Sequence, residues 1–165
     1  MQILQASKNQ LPIIQDLAYK IWPNAYAEIL AEAQLDFMLE NFYSIDSLEN
    51  QLENNHIFLL AEDDGVYYGF ASYEINCKEQ GKTKLHKIYV LPNTQKNGVG
   101  KMLLESVEKA AQKALNKYLF LNVNKYNNAK NFYEKFEFKI IKEEMIDIGQ
   151  GYVMDDYVME KSILF

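Results

Sequence analysis

Residues 95–100, with the sequence QKNGVG, have the composition of a loop that binds phosphate. They follow an apolar run that stops at Pro92, and they precede a strongly periodic helical pattern. The first N–H groups of a helix lack intrahelical partners and lie at the positive end of its dipole, so they attract anions. Gly98 and Gly100 let the backbone approach a ligand closely, because a Cβ would hold the ligand away. This stretch therefore predicts a strand, an anion-binding loop and a helix.

Two familiar phosphate loops do not match this stretch. A Walker loop needs glycine at position 95 and Ser or Thr at position 102, where the sequence has Gln95 and Met102. A dinucleotide fingerprint needs a third glycine where Leu103 stands, and an acidic residue near position 120, where the sequence is apolar. A Gly-x-Gly pair before a helix also occurs in ordinary turns. The rest of the chain must distinguish a binding loop from a turn.

Helical patterns come first in the chain, and strand patterns follow them. Apolar spacing predicts helices over 11–22, 25–42 and 46–52, with Pro23 ending the first and Asp46 capping the third. A weak alternation predicts an edge strand over 1–6. From residue 57 the period becomes that of three consecutive antiparallel strands, over 57–61, 66–77 and 83–91. A hairpin signal, Asp64-Gly65, joins the first two of these strands.

After the loop the pattern alternates between helix and strand. It predicts a helix over 98–115, a strand over 118–124, a short helix from Asn127, and strands over 138–148 and 152–163. A right-handed crossover between consecutive strands makes the sheet mixed. The sequence thus predicts an α/β (α+β) protein, and its 165 residues suit a single domain over 1–165.

Composition and charge narrow the possible partners. No apolar run reaches membrane-spanning length and the N-terminus shows no signal peptide, so we expect no membrane contact. The single Cys77 cannot form an internal disulfide, which suits a cytoplasmic protein, and no triad pattern marks it as a nucleophile. A net charge of −6 disfavours nucleic acid and favours a cationic substrate. The histidines and carboxylates show no metal-ligand spacing, so we expect no metal.

Two motifs resemble those of the Gcn5-related N-acetyltransferases (GNAT). Residues 95–100 fit the family's loop, Q/R-x-x-G-x-G/A, at all three defined positions. Residues 121–138, LNVNKYNNAKNFYEKFEF, resemble its second signature, L-x-V-N-x-x-N-x-A-x-x-F-Y-E-K-x-G-F, with Glu137 in place of the usual glycine. The predicted order of helices and strands is also that of the family. The agreement of motifs, spacing and element order favours the binding loop over an ordinary turn.

The resemblance implies the acyl-CoA N-acyltransferase fold and acetyl-CoA as cofactor. In this fold a mixed, mostly antiparallel sheet contains a splayed central parallel strand pair, and helices cover both faces. The loop holds the diphosphate, and the pantetheine arm pairs with free backbone groups of the strand before it. The residues that match these cofactor-binding positions are Ile88, Tyr89, Val90, Gln95, Lys96, Asn97, Gly98, Val99, Gly100, Lys101, Asn122, Asn127 and Tyr133. Ile88–Val90 can also be ordinary core residues, since side chains pack while the backbone binds.

The resemblance further implies catalytic roles. Tyr133 matches the family tyrosine that protonates the leaving thiolate, although its spacing alone favours a core aromatic residue. A primary amine is mostly charged at pH 7 and must lose a proton before attack. Glu74 and His86 are the candidate bases, directly or through water, and a lone strand histidine is often only structural.

The acceptor side is the least defined part of the prediction. Parts of the chain are similar to the branch that includes bacterial spermidine acetyltransferases, and the candidate substrate-binding residues are Trp22, Tyr26, Tyr43 and Asp156. Packing or a solvated surface explains these residues equally well. We expect acetyl transfer to a primary amine by direct attack in a ternary complex, with a polyamine or other small amine favoured and a peptide amine open. The alternative is a non-catalytic acyl-CoA-binding regulatory module, and edge strands near the C-terminus suit a homodimer.

Overall fold

The computed structural model describes residues 1–164, except for the side chains of Gln95 and Lys96. The strands are β1 (Gln2–Gln5), β2 (Ile57–Asp63), β3 (Val66–Glu74), β4 (Lys82–Val90), β5 (Tyr118–Asn124), β6 (Lys139–Gly149) and β7 (Tyr152–Ser162). The helices are α1 (Leu11–Tyr26), α2 (Glu32–Tyr43), α3 (Ile45–Glu53), α4 (Val99–Lys113) and α5 (Ala129–Lys135). Short 3₁₀ turns cover Lys8–Gln10 and Pro92–Asn97.

The strands form one mixed sheet in the order β1-β2-β3-β4-β5-β7-β6. Each neighbouring pair is antiparallel except β4 and β5, which run parallel. Parallel neighbours need a crossover connection, and α4 supplies it between β4 and β5. The predicted mixed, mostly antiparallel sheet is therefore confirmed.

The sheet separates two apolar cores, one on each face. Helices α1, α2 and α3 cover one face, where Phe58 and Phe70 are completely buried. Helix α4 covers the other, where its Leu103 and Val107 pack with Leu119 of β5. Successive side chains of a strand point to opposite faces, so each central strand contributes to both cores. Burial on both faces fixes the relative positions of β4 and β5.

Pairing between β4 and β5 stops halfway along the two strands. Residues 82–85 pair with 118–121, and within the described chain residues 86–90 have no partner on β5. On its other side β4 carries a bulge, because Ser72 pairs with Lys87 while Tyr73 pairs with Leu85, and His86 is the extra residue. The bulge bends β4 away from β5. The predicted splay of the central parallel pair is thus present.

The end of α1 differs from the prediction. Pro23 lies inside the helix, which continues to Tyr26. Proline in a helix interior costs about 3 kcal/mol. Trp22 and Tyr26, on either side of Pro23, are buried in the α1–α3 core, and full burial of such side chains gains roughly 2–3 kcal/mol each. Tertiary packing therefore outweighs the local preference of proline.

The starts of the next two helices also differ from the prediction. Helix α2 begins at Glu32 rather than at residue 25. Ser44, not Asp46, is the N-cap of α3, and its Oγ accepts a hydrogen bond from the N–H of Ser47 at 3.2 Å. The two residue types are similarly good caps, and only the position of the first helical turn distinguishes them.

Glu137 ends α5 in a left-handed conformation, with φ of 72°. The N–H of Phe138 donates to the carbonyl of Tyr133 at 3.1 Å, and the N–H of Glu137 donates to the carbonyl of Glu134 at 3.1 Å. This is the Schellman closure, which favours glycine at the position of Glu137 because a Cβ costs roughly 1–2 kcal/mol in this region.

We therefore expect Glu137→Gly to raise the free energy of unfolding by about 1 kcal/mol, after the entropic cost of glycine is subtracted. Urea unfolding measures the change, and the melting temperature should rise by roughly 2–4 °C. Glu137→Ala is the control, because it removes the carboxylate and keeps the Cβ. Equal stabilisation by both variants would mean that charge, not backbone conformation, limits stability here.

Candidate active site

A cleft of about 1230 Å³ opens where β4 and β5 separate. Most residues predicted from the sequence line it: Trp22, Tyr26, Tyr43, His86, Ile88, Tyr89, Val90, Gly98, Gly100, Lys101, Asn122, Asn127, Tyr133 and Asp156. Glu74, Asn97 and Val99 are not part of this lining, and the side chains of Gln95 and Lys96 lie outside the described structure. The fold thus brings residues from α1, α2, β4, β5, α4, α5 and β7 around one cavity.

The loop before α4 presents its backbone to the cleft. Gly98 is the N-cap of α4 with φ of 73°, and its carbonyl accepts the first helical hydrogen bond, from the N–H of Met102 at 3.0 Å. A Cβ at Gly98 would meet no atom within 4 Å, so this side of the loop is open to a ligand. Gly100 instead lies against Phe132 of α5. The side chain of Val99, the first residue of α4, is buried in the core, so only its backbone is available to an anion.

The C-terminal half of β4, residues 86–90, combines packed side chains with a free backbone edge. Ile88 and Val90 pack with the α4 core, and Tyr89 packs with the α1–α3 core. Because residues 86–90 have no partner on β5 in the described chain, their N–H and C=O groups on that side are available to an extended ligand. The splay therefore forms a strand-shaped binding slot.

Tyr133 lies on α5 at the β5 side of this slot. Its side chain is 7% exposed and packs edge-on against Phe132 and Phe138, with ring centroids 5.4 and 5.6 Å away. Burial, the larger cause, and the nearby Tyr26 raise the pKa of the Tyr133 phenol above its ordinary value. The phenol is therefore protonated at neutral pH and can donate a hydrogen bond into the cleft.

Two asparagines predicted to bind the cofactor have partners within the protein. Asn127 Oδ1 accepts a hydrogen bond from the N–H of Ala129 at 2.9 Å, in the turn that leads into α5, whose N-cap is Asn128. Asn122 Nδ2 lies 3.4 Å from Asp156 Oδ2, which is a long hydrogen bond. Both side chains also line the cleft, so their contacts within the protein do not remove them from the reach of a ligand.

Aromatic side chains form the wall of the cleft opposite α5. Trp22 packs against Tyr26, Tyr43 and Tyr89, with centroid separations of 4.7, 5.4 and 5.5 Å. The hydroxyls of Tyr26 and Tyr89 are 2.9 Å apart and share a hydrogen bond. The sequence indicated Tyr89 only for its backbone. Its side chain proves to be part of this wall, in contact with Trp22 and Tyr26.

Asp156 of β7 is a buried carboxylate that faces the cleft. It is 5% exposed, and its Oδ1 has no hydrogen-bond partner in the described structure. Burial is the main cause that raises the pKa of this carboxyl, and the hydrogen bond from Asn122 opposes it. A buried carboxylate oxygen without a partner is rare and suits a cationic ligand.

Glu74, His86 and His56 form a cluster beside the bulge. Glu74 Oε1 lies 3.0 Å from His86 Nε2 and 3.5 Å from His56 Nε2. Burial, together with the neighbouring His56 and Lys87, lowers the pKa of His86 to about 2, so the ring is neutral at pH 7. The imidazole rings stack 4.0 Å apart with 7° between their planes. One donor atom from each of these three side chains lies within 4.8 Å of the other two, although the parallel, separated ring planes are unlike the tetrahedral arrangement of a zinc site. The sequence did not indicate His56.

Lys87 is the other residue that sequence analysis missed. It follows His86 in the bulge and lines the cleft, and its Nζ donates to Gln51 Oε1 of α3 at 2.6 Å. The available signal was a lysine in the otherwise apolar end of a predicted strand. Burial, and to a lesser extent Lys84, lower its pKa to about 7.

A splayed parallel pair, a glycine loop at a helix N-terminus and a tyrosine beside the slot define an acyl-CoA N-acyltransferase. The model of the family described as Acetyltransferase (GNAT) domain matches residues 26–159, and the chain belongs to this family. It is an acetyl-CoA-dependent N-acetyltransferase, and the enzyme is therefore favoured over a non-catalytic module.

Relatives and solved structures agree with this assignment. A spermidine N(1)-acetyltransferase of Thermoplasma acidophilum is 26% identical over 94% of this chain and 96% of its own. A PaiA N-acetyltransferase structure from the same organism, in complex with coenzyme A, superposes with a TM-score of 0.81, 28% identity and 98% coverage of both chains. A GNAT structure from Rhodopseudomonas palustris shares the fold, with a TM-score of 0.82, 19% identity and coverage of 98% and 94%. In the described residues, no helix has the length and apolarity to cross a membrane.

Proposed function

We propose that the acceptor is a small cationic amine, with polyamines the favoured class, and that it attacks acetyl-CoA directly in a ternary complex. The observation that carries this proposal is the buried, unpartnered Oδ1 of Asp156 in a cleft walled by Trp22, Tyr26 and Tyr43. An ammonium group donates a charge-assisted hydrogen bond to such a carboxylate, and aromatic faces attract cations. The similarity to a spermidine N(1)-acetyltransferase supports the same class.

The cofactor in this proposal lies along the slot between β4 and β5. Backbone N–H groups of residues 95–101 hold the diphosphate at the start of α4. Free backbone groups of residues 88–90 pair with the pantetheine arm, and one N–H polarises the thioester carbonyl. Asn122 and Asn127 contact the arm from the opposite strand and α5.

Tyr133 is the proposed general acid. Its phenol lies at the cleft and is protonated at neutral pH, and burial raises its pKa further above the ordinary 10.0. It donates a hydrogen bond to the sulfur as the carbon–sulfur bond breaks, which stabilises the charge that develops on the thiolate.

Glu74 and His86 stay in the proposal as groups that act on the amine proton indirectly. A histidine with a pKa of about 2 is too weak a base to accept the amine proton at pH 7, so in this proposal the proton leaves through water that His86 and Glu74 help to orient. Glu74 lies behind His86, outside the cleft lining. Their contacts also fix the bulge of β4.

Acetyl-CoA incubated with candidate acceptors tests the substrate class. We expect release of free CoA with spermidine and spermine at least about tenfold faster than with amino acids or N-terminal peptides, because the latter carry fewer cationic groups. Product mass identifies the acetylated amine. A peptide that outperforms every polyamine would overturn the acceptor class and leave the acetyltransferase assignment intact.

We also propose that residues 1–165 act as one cytoplasmic domain that forms a homodimer. The two cores share one sheet, and the single cysteine is buried. Strand β6 is one of the two edge strands of the sheet, and it exposes Ile141 and Met145. An edge strand with exposed apolar side chains is a surface on which a second copy can pair. Sedimentation at only the monomer mass of 19.3 kDa would contradict the dimer.

A further inference from the structure

Lys87 lines the cleft, and its side-chain amine contacts no carboxylate in the described structure. The contacts of its Nζ in the described structure are the amide oxygen of Gln51 at 2.6 Å and the rings of Tyr43 and Phe58, at 5.7 and 5.8 Å. Buried lysines are normally paired with an acid, and those that are not often serve a function. Lys87 is partly buried, lines the cleft, and lies within the free backbone edge of residues 86–90, next to Ile88.

The bulge explains how this side chain reaches the acceptor side. Because His86 is the extra residue, Lys87 extends towards α3 while Leu85 packs in the opposite core with α4. Gln51 is itself fixed, since its Nε2 donates to the carbonyl of Phe42 at 2.9 Å and to Ser47 Oγ at 3.0 Å. The carbonyl of Gln51 therefore holds the lysine amine beside Tyr43, at the aromatic wall.

The charged and titratable groups around Lys87 disfavour a second positive charge. Lys84 lies on the same strand and repels the ammonium form of Lys87. The charge of Lys87 in turn lowers the pKa of both His86 and His56. Glu74 is the nearby acid, and it contacts the two histidines. Burial is the larger cause, and together these effects lower the pKa of Lys87 to about 7. A large fraction of the Lys87 side-chain amine is therefore neutral at pH 7.

We propose that the side-chain amine of Lys87 is the general base that takes the proton from the bound acceptor. This inference rests on the proposed function and adds the proton acceptor that Glu74 and His86 do not provide directly. The acceptor ammonium gives one proton to the neutral lysine, and the free amine attacks the thioester carbon. A carbon–nitrogen bond forms and the carbon–sulfur bond breaks. The thiolate takes a proton from Tyr133, and the second nitrogen proton restores that phenol through water. Lys87 then releases its proton to solvent, so the net products are the amide, free CoA and one proton.

The pH dependence of kcat tests this role. Wild-type kcat should rise tenfold per pH unit below about 7 and level off above, because Lys87 must be neutral. Lys87→Gln and Lys87→Arg should each lower kcat by about 100-fold or more, since neither side chain accepts a proton. Each should also abolish the fall of kcat below pH 7, the acidic limb of the profile. Lys87→Met, which keeps the apolar stem, replaces Lys87→Gln if the latter unfolds. Lys84→Gln, the matched control on the same strand, should keep the acidic limb.

A titration that needs no turnover provides the second test. NMR of lysines labelled at Cε, with Lys87 assigned by its loss in Lys87→Arg, should show a midpoint near 7. A midpoint near the ordinary 10.5 overturns the inference. The inference is also overturned if the wild type is active and its Lys87→Gln variant keeps the acidic limb. That result would leave the proposed function intact. A wild type that is silent with every amine contradicts the proposed function itself.

Discussion

Replacing Tyr133 with phenylalanine should lower kcat by about 100-fold or more and change the Kd for CoA by less than about threefold. Removal of a positioned proton donor typically costs 10²–10⁴ in rate. The ring of Tyr133 packs between Phe132 and Phe138, and phenylalanine keeps those contacts. The lost hydroxyl matters only when charge develops on sulfur, so the effect falls on kcat rather than on binding.

Steady-state kinetics and calorimetric titration with CoA measure the two quantities separately. Tyr118→Phe is the matched control, because Tyr118 lies at the far end of β5, outside the cleft lining, and should change neither value. An unchanged kcat in Tyr133→Phe would show that the thiolate leaves without this phenol. A large loss of CoA affinity would instead make Tyr133 a binding residue.

Asp156→Asn should raise the KM for a cationic acceptor by about tenfold or more and also stabilise the protein. The amide keeps the shape of the carboxylate but loses the charge that attracts an ammonium group. The carboxylate is buried with Oδ1 unpartnered, so its replacement removes a desolvation penalty of roughly 1–3 kcal/mol. Activity and stability therefore change in opposite directions, as expected for a strained functional group.

The pH dependence of this stabilisation has a defined sign. Burial raises the pKa of native Asp156 above its ordinary 3.8, so the native state holds the proton more tightly than the unfolded state. The wild type therefore loses stability as pH rises from about 3.8 through the native pKa, and the loss persists at neutral pH. Urea unfolding of both proteins should show the stability difference shrinking at acidic pH. An Asp156→Asn protein less stable than wild type at pH 7 would contradict this account.

The sequence was most informative where local chemistry and periodicity agreed. The glycine loop, the strand over 118–124 and the turn at Asp64-Gly65 depend on short-range patterns, and the structure has them in the predicted places. Pro23 was misleading because burial of Trp22 and Tyr26 is a tertiary effect that no local rule contains.

The parts of the site that escaped prediction depend on the bulge of β4. A one-residue shift at His86 decides which face Lys87 and Leu85 occupy, and simple alternation cannot anticipate it. His56 joins Glu74 and His86 only because the sheet places β2, β3 and β4 side by side. Motif matching indicated the loop and strands that line the proposed cofactor slot. The acceptor side required three-dimensional contacts between distant segments.

Hydrogen exchange of backbone amides, with and without CoA, tests the central claim most directly, since it reports binding at the splayed strands residue by residue. We expect CoA to slow exchange at residues 86–90 of β4 and 97–101 of the loop and α4, where free N–H groups would gain partners. The paired segment 82–85 of the same strand should change little and acts as an internal control. Protection elsewhere, with residues 86–101 unchanged at saturating CoA, would contradict the placement of the cofactor between β4 and β5.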